Sequence, residues 1–121
     1  MRTFSYRSGN YPNVGTIEKT GLETMVYRVA YADGVPSSVT VSTITAVALN
    51  AGNGTVTSLC IGTLSVSGTT ASVTLLTCGT SGAAASDGER FRIRTTAVLS
   101  DSSDLVFDTF VKINDPTYAP G

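Results

Sequence analysis

The chain contains no histidine and no tryptophan, only two cysteines and few charges. Each shortage excludes something. Without histidine, the commonest general base near neutral pH and the commonest transition-metal ligand are both missing. The cysteines, Cys60 and Cys78, lack the paired spacing of a zinc site. No glycine loop of the G-x-x-x-x-G-K-S/T or G-x-G-x-x-G kind is present to cradle a phosphate. No apolar run is long enough to span a bilayer, and the opening stretch MRTFSYRSGNYPNVG lacks the apolar core of a secretory signal. Charged residues make up 14%, the net charge is −1 and the pI is about 5.1. Nucleic-acid binders usually carry a basic stripe and a high pI. Neither nucleic acid nor a membrane is expected as a partner.

The remaining charges offer little chemistry. Lys19 ends a strand and Lys112 alternates outward, and both read as solvated. Asp101 and Asp104 flank a turn, while Asp87 and Glu89 close a loop. Neither pair supplies the six to eight oxygens that calcium takes, and aspartate in turns usually serves the backbone. No cofactor, metal or catalytic residue is expected, and the chain does not read as an enzyme. A sugar-stacking platform would want tryptophan or clustered tyrosines, whereas Tyr27 and Tyr31 fit a core face.

What is abundant is Ser, Thr, Gly, Ala and Val, a mix that favours strands over helices. At 121 residues the chain is long enough for one domain, burying roughly two-thirds of its unfolded surface. Strand signals fall at 15–19, 23–31, 38–49, 55–66, 71–78, 90–100 and 105–113. In 38–49 the apolar phase slips from odd to even positions. A bulge near Ser42 explains the slip, and so does a chain crossing between two sheets. About seven short strands at this spacing fit an Ig-like antiparallel β-sandwich. The sandwich is expected over 15–114. Residues 1–14 show no clear period and read as an extended arm. Residues 115–121, with two prolines, read as an extended tail.

Alternation matches best with Leu64 opposite Val73 and Val66 opposite Ala71. Cys60 then faces Thr77, and Cys78 points to the other side. A bridge closing this loop would add roughly 3 kcal/mol on the loop-entropy model, but a one-residue slip is needed to bring the thiols together. With no export signal, reduced and buried thiols are expected.

The last two strands carry the main functional hint. Phe91, Ile93, Thr95, Ala97 and Leu99 point inward, as do Leu105, Phe107, Thr109, Val111 and Ile113. Arg90, Arg92 and Arg94 therefore lie outward, beside Val106, Asp108, Phe110 and Lys112. A solvated sheet face is the plain reading. Apolar groups interleaved with charges also resemble a contact patch. Aromatics in the two arms can anchor in a neighbour when an arm orders on binding. The candidate interface residues are Phe4, Tyr6, Tyr11, Arg92, Arg94, Phe110 and Tyr118.

Residues 71–120, ASVTLLTCGTSGAAASDGERFRIRTTAVLSDSSDLVFDTFVKINDPTYAP, resemble the small Ig-like virion proteins of tailed phages known as fiber–tail adaptors. The likeness lies in an alternating strand ending in Gly79-Thr80-Ser81-Gly82, then a strand of Arg/Thr and apolar residues at 90–98. A polar turn and a last strand follow. LETMVYRVAYADGVPSSVTV (22–41) is similar to the family's earlier strands. Members often carry a tryptophan after the DG turn, where this chain has Val41 and Thr43. The resemblance implies a non-catalytic virion component, assembled in the bacterial cytoplasm as an oligomer with tail, fiber or capsid proteins as partners. A capsid decoration protein and a carbohydrate- or receptor-binding module are the alternatives.

Overall fold

The computed structural model describes residues 2–9, 13–19, 24–52, 54–76 and 89–113. They contain eight strands: β1 (Arg2–Ser5), β2 (Val14–Lys19), β3 (Met25–Ala30), β4 (Val41–Asn50), β5 (Ile61–Ser67), β6 (Thr70–Leu75), β7 (Arg90–Leu99) and β8 (Asp104–Ile113). Two four-stranded sheets, ordered β1-β3-β6-β5 and β2-β8-β7-β4, pack as an all-β sandwich. The sheets are mixed rather than wholly antiparallel, because β1 adds parallel to β3 and β2 adds parallel to β8. Parallel neighbours need a long connection. Here β1 and β3 are separated by β2, which lies in the other sheet. No helix among the described residues is long and apolar enough to cross a membrane.

Alternation places the core as expected. All ten inward residues of β7 and β8 are buried. They face Tyr27, Val29, Ala71, Val73 and Leu75 from the other sheet. Each large apolar side chain taken wholly out of water contributes about 1.5–3 kcal/mol. The phase slip in β4 is a bulge: Val41 pairs with Leu99 but Thr43 with Val98, leaving Ser42 extra.

The stretch 55–66 is not one strand. Thr57–Cys60 forms a single helical turn, α1, before β5. Its reason is topological, since β4 and β5 belong to different sheets and the chain must turn a corner. Val56 first donates to the Ala48 carbonyl, and the Thr57 hydroxyl accepts the Ala48 N–H. The expected register holds, with Leu64 opposite Val73 and Val66 opposite Ala71. A bulge separates Ile61 from Leu64, and the Cys60 carbonyl accepts from Leu76, while Thr77, expected opposite Cys60, lies outside the described residues. Cys60 is buried. Cys78, Tyr11, the 79–88 loop and the 115–121 tail lie outside the described residues.

The N-terminal stretch differs most from expectation. Arg2–Ser5 is a strand, not part of an arm, and Phe4 sits opposite Val29. Its ring lies edge-on to Tyr27, centroids 6.0 Å apart, and 5.6 Å from Phe107. Tyr6 lies 5.8 Å from Tyr31. Two glycines make room for these rings. A Cβ on Gly15 would come within 2.5 Å of Phe4, and one on Gly34 within 2.5 Å of Tyr6. Lys19 also departs from expectation. It is 3% exposed, because Gly15, Ile17 and Lys19 share the inward phase of β2.

Tyr31 crosses the sandwich to donate to the Thr95 carbonyl at 2.9 Å. The hydroxyls of Tyr27, Thr95 and Thr109 are buried without a partner at full hydrogen-bond geometry. Burial pushes the Tyr27 pKa up, and the nearby Thr109 and Thr95 hydroxyls pull it partly back. Burial likewise raises the pKa of Tyr31, with a smaller push from Tyr27.

Candidate protein-interface face

The outer face of the β7 sheet is the phase left over once the core is filled. Strands in register turn it into rows. One row runs Val14, Asp108, Arg94, Val47. The next runs Thr16, Phe110, Arg92, Leu49, and the third Glu18, Lys112, Arg90. On the other side of the first row stand Val106, Thr96 and Thr45. Val14 is 50% exposed, Val47 45%, Phe110 44% and Val106 39%. Apolar side chains of β2, β8 and β4 thus stand among the charges of β2, β8 and β7.

The arginines are not equivalent. Arg94 grips Asp108 with two bonds, from Nε to Oδ1 and from Nη2 to Oδ2, each 2.9 Å. The Asp108 carboxylate raises the Arg94 pKa and answers its charge within the face. Such exposed pairs contribute under about 1 kcal/mol to folding. Arg90, Arg92 and Lys112 have no ion-pair partner among the described residues. Lys112 stands directly opposite Arg90, a like-charge pairing that disfavours the sheet, with Glu18 on its other side. An open groove of about 750 Å³ lies here, lined by Thr16, Glu18, Arg90, Phe110 and Lys112 along with Ile17, Phe91 and Val111.

In the β7–β8 turn the Asp101 carboxylate serves the backbone. Asp101 accepts the Ser103 N–H at 3.0 Å, and this bond holds its pKa below the ordinary value. Among the described residues no group of three His, Cys, Asp or Glu is placed to hold a metal ion.

Of the sequence candidates, Arg92, Arg94 and Phe110 come together on this face. Phe4 and Tyr6 do not join them. They close the margin of the core from the side of β3, so a free aromatic arm is not what these two residues form. Tyr11 and Tyr118 lie outside the described residues. Arg90, Lys112 and Val106 were placed outward from sequence but not named as interface candidates. Val47 follows from alternation along β4, while Val14 was hidden in the stretch read as an arm. Scanned against models of protein families and against curated proteins, the chain matches none.

Proposed function

We propose that the chain is a non-catalytic structural component of a tailed-phage virion, a tail, neck or fiber–tail adaptor. It would hold its neighbours through the outer face of the β7 sheet. One observation carries this reading. Val14, Val47, Val106 and Phe110 stand exposed among the arginines of one sheet face that a packed core holds rigid. Apolar anchors rimmed by charge are the composition of a contact patch. The likeness of residues 71–120 to fiber–tail adaptors supplies the virion setting. Ring symmetry would repeat each modest contact, so that weak interfaces add through avidity.

The test is the copy number of the chain in purified particles, by quantitative mass spectrometry against the major capsid protein. A small, ring-like number is expected. A number comparable to the capsid subunits would replace the adaptor with a capsid decoration protein, and absence from particles would overturn the virion reading.

A further inference from the structure

The charge of the face is concentrated away from the residue that best fits the geometry of a carboxylate binder. Arg94 already holds a carboxylate in two bonds. The open positive charge lies in the next two rows, on Arg92 and then on Arg90 and Lys112, on either side of the exposed ring of Phe110. Arg90 and Lys112 face one another across the strands, and Glu18 answers Lys112 from its other side, so an anion seated by Arg90 would meet the charge left over. The groove beside them is within the size range of sites that bury small ligands or short peptide segments. The chain as a whole is slightly negative. Long-range attraction of a polyanion is therefore absent, and recognition must be local.

We infer that this groove, together with Arg92 at its edge opposite Phe110, takes an extended protein segment in which Asp or Glu flanks a large apolar side chain. The apolar side chain packs on Phe110, and the carboxylates meet Arg92 and the Arg90–Lys112 pair. Arg94 takes no direct part. The inference rests on the interface reading above and names the partner chemistry of the same face.

The isolated, isotope-labelled protein is titrated with three synthetic 12-residue probes and followed by backbone amide shifts. Each probe is a Ser/Ala chain with one central Phe, flanked by two Asp, two Lys or two Ser on each side. A fourth probe is a dT12 oligonucleotide. The acidic probe is expected to bind at least about tenfold tighter than the neutral one, with shifts centred on 16–18, 90–92 and 110–112. Arg92→Ala is expected to weaken it about fivefold, in the range of an exposed charge contact. Arg92→Lys keeps the charge and most of the binding, while Arg28→Ala, on the outer face of the other sheet, changes it less than twofold. Equal binding of all three peptides, or equal losses from Arg92→Ala and Arg28→Ala, would overturn the inference. Tighter binding of dT12 would replace it with a polyanion site. The copy number in particles is a separate readout, so an adaptor without an acidic partner segment, and the converse, can be told apart.

Discussion

The two outer faces of the sandwich are made by the same alternation and differ in nearly everything else. Across the β6 sheet one outward row reads Thr3, Arg28, Ser72, Ser65. Another reads Ser5, Ala30, Thr70, Ser67. None of the large apolar residues exposed among the described residues lies in these rows, whereas four of them stand on the outer face of the β7 sheet. Val66, the remaining one, belongs to the inward phase of the edge strand β5, opposite Ala71. Short hydroxyl side chains satisfy themselves with water and give a neighbour little to bury. Valines and a phenylalanine set between arginines leave apolar area in water that association would remove. Core demands fix the inward phase of both sheets, so the contrast outside is not set by the core.

The sharpest way to break the comparison is to weaken the polar side from within. Phe4 ties β1 to Tyr27 and Phe107. Phe4→Ala should cost about 2–4 kcal/mol in urea unfolding, somewhat below a fully buried Phe. Binding through the β7 sheet, measured under conditions where the variant stays folded, should be unchanged. A loss under about 0.5 kcal/mol would return residues 2–5 to the status of a loose arm.

Next in size is a pair of tyrosines on the inward side of the β3 sheet. Tyr31→Phe removes the buried hydroxyl bond to the Thr95 carbonyl and should cost about 1–2 kcal/mol. Tyr27→Phe removes a hydroxyl that has no full partner, and should be neutral or slightly stabilising. Equal costs would mean that the Tyr27, Thr95 and Thr109 hydroxyls are satisfied in solution. Both tyrosines have raised pKa values. Their contribution is therefore complete below the ordinary tyrosine range near pH 10 and is lost as pH rises through the folded values.

How much of this was legible depends on the length of the periodic signal. The inward residues of β7 and β8 run through ten-residue strands, so chance phasing is improbable and the outer arginines follow. The long β4 run changed phase midway, which left a bulge near Ser42 or a crossing between sheets, and the register decides for the bulge. Short elements gave no such lever. Thr3, Phe4, Ser5 and Tyr6 do alternate, but four residues with few apolar members look like coil until Gly15 and Gly34 are known to lie under the rings. Lys19 was assigned to solvent by its charge, when its spacing from Ile17 already placed it inside. Nothing local marked the helical turn at Thr57–Cys60, because it exists to carry the chain between sheets. The pairing of Arg94 with Asp108 depends on hairpin register, and with it the distinction among the arginines.

A gentler change sharpens the contrast directly. Phe110→Ser should alter stability by less than about 1 kcal/mol, as its ring is already partly in water. The same change should abolish association through the β7 sheet, read by sedimentation or by shifts with the acidic probe. Ser72→Ala on the other face should move neither quantity. If Phe110→Ser unfolded the protein, the ring would belong to the core and the contact patch would lose its centre.

The smallest expected effect lies where the N-terminal segment is fastened after β1. The Asp33 carboxylate accepts both the Ser8 N–H, at 2.9 Å, and the Ser8 hydroxyl, at 3.2 Å. These bonds hold the Asp33 pKa below its ordinary value. A lowered folded pKa means that the contribution is complete above the ordinary carboxylate range, near pH 4, and is lost as pH falls through the folded value. Amide exchange of Ser8 should therefore be protected at neutral pH and lose that protection in acid. Asp33→Asn should show a flat profile over the same interval, with the amides of β7 and β8 unaffected in both proteins. An acid-insensitive Ser8 amide in the unmodified chain would show that the clasp does not hold the segment that leads out of the hydroxyl-lined sheet.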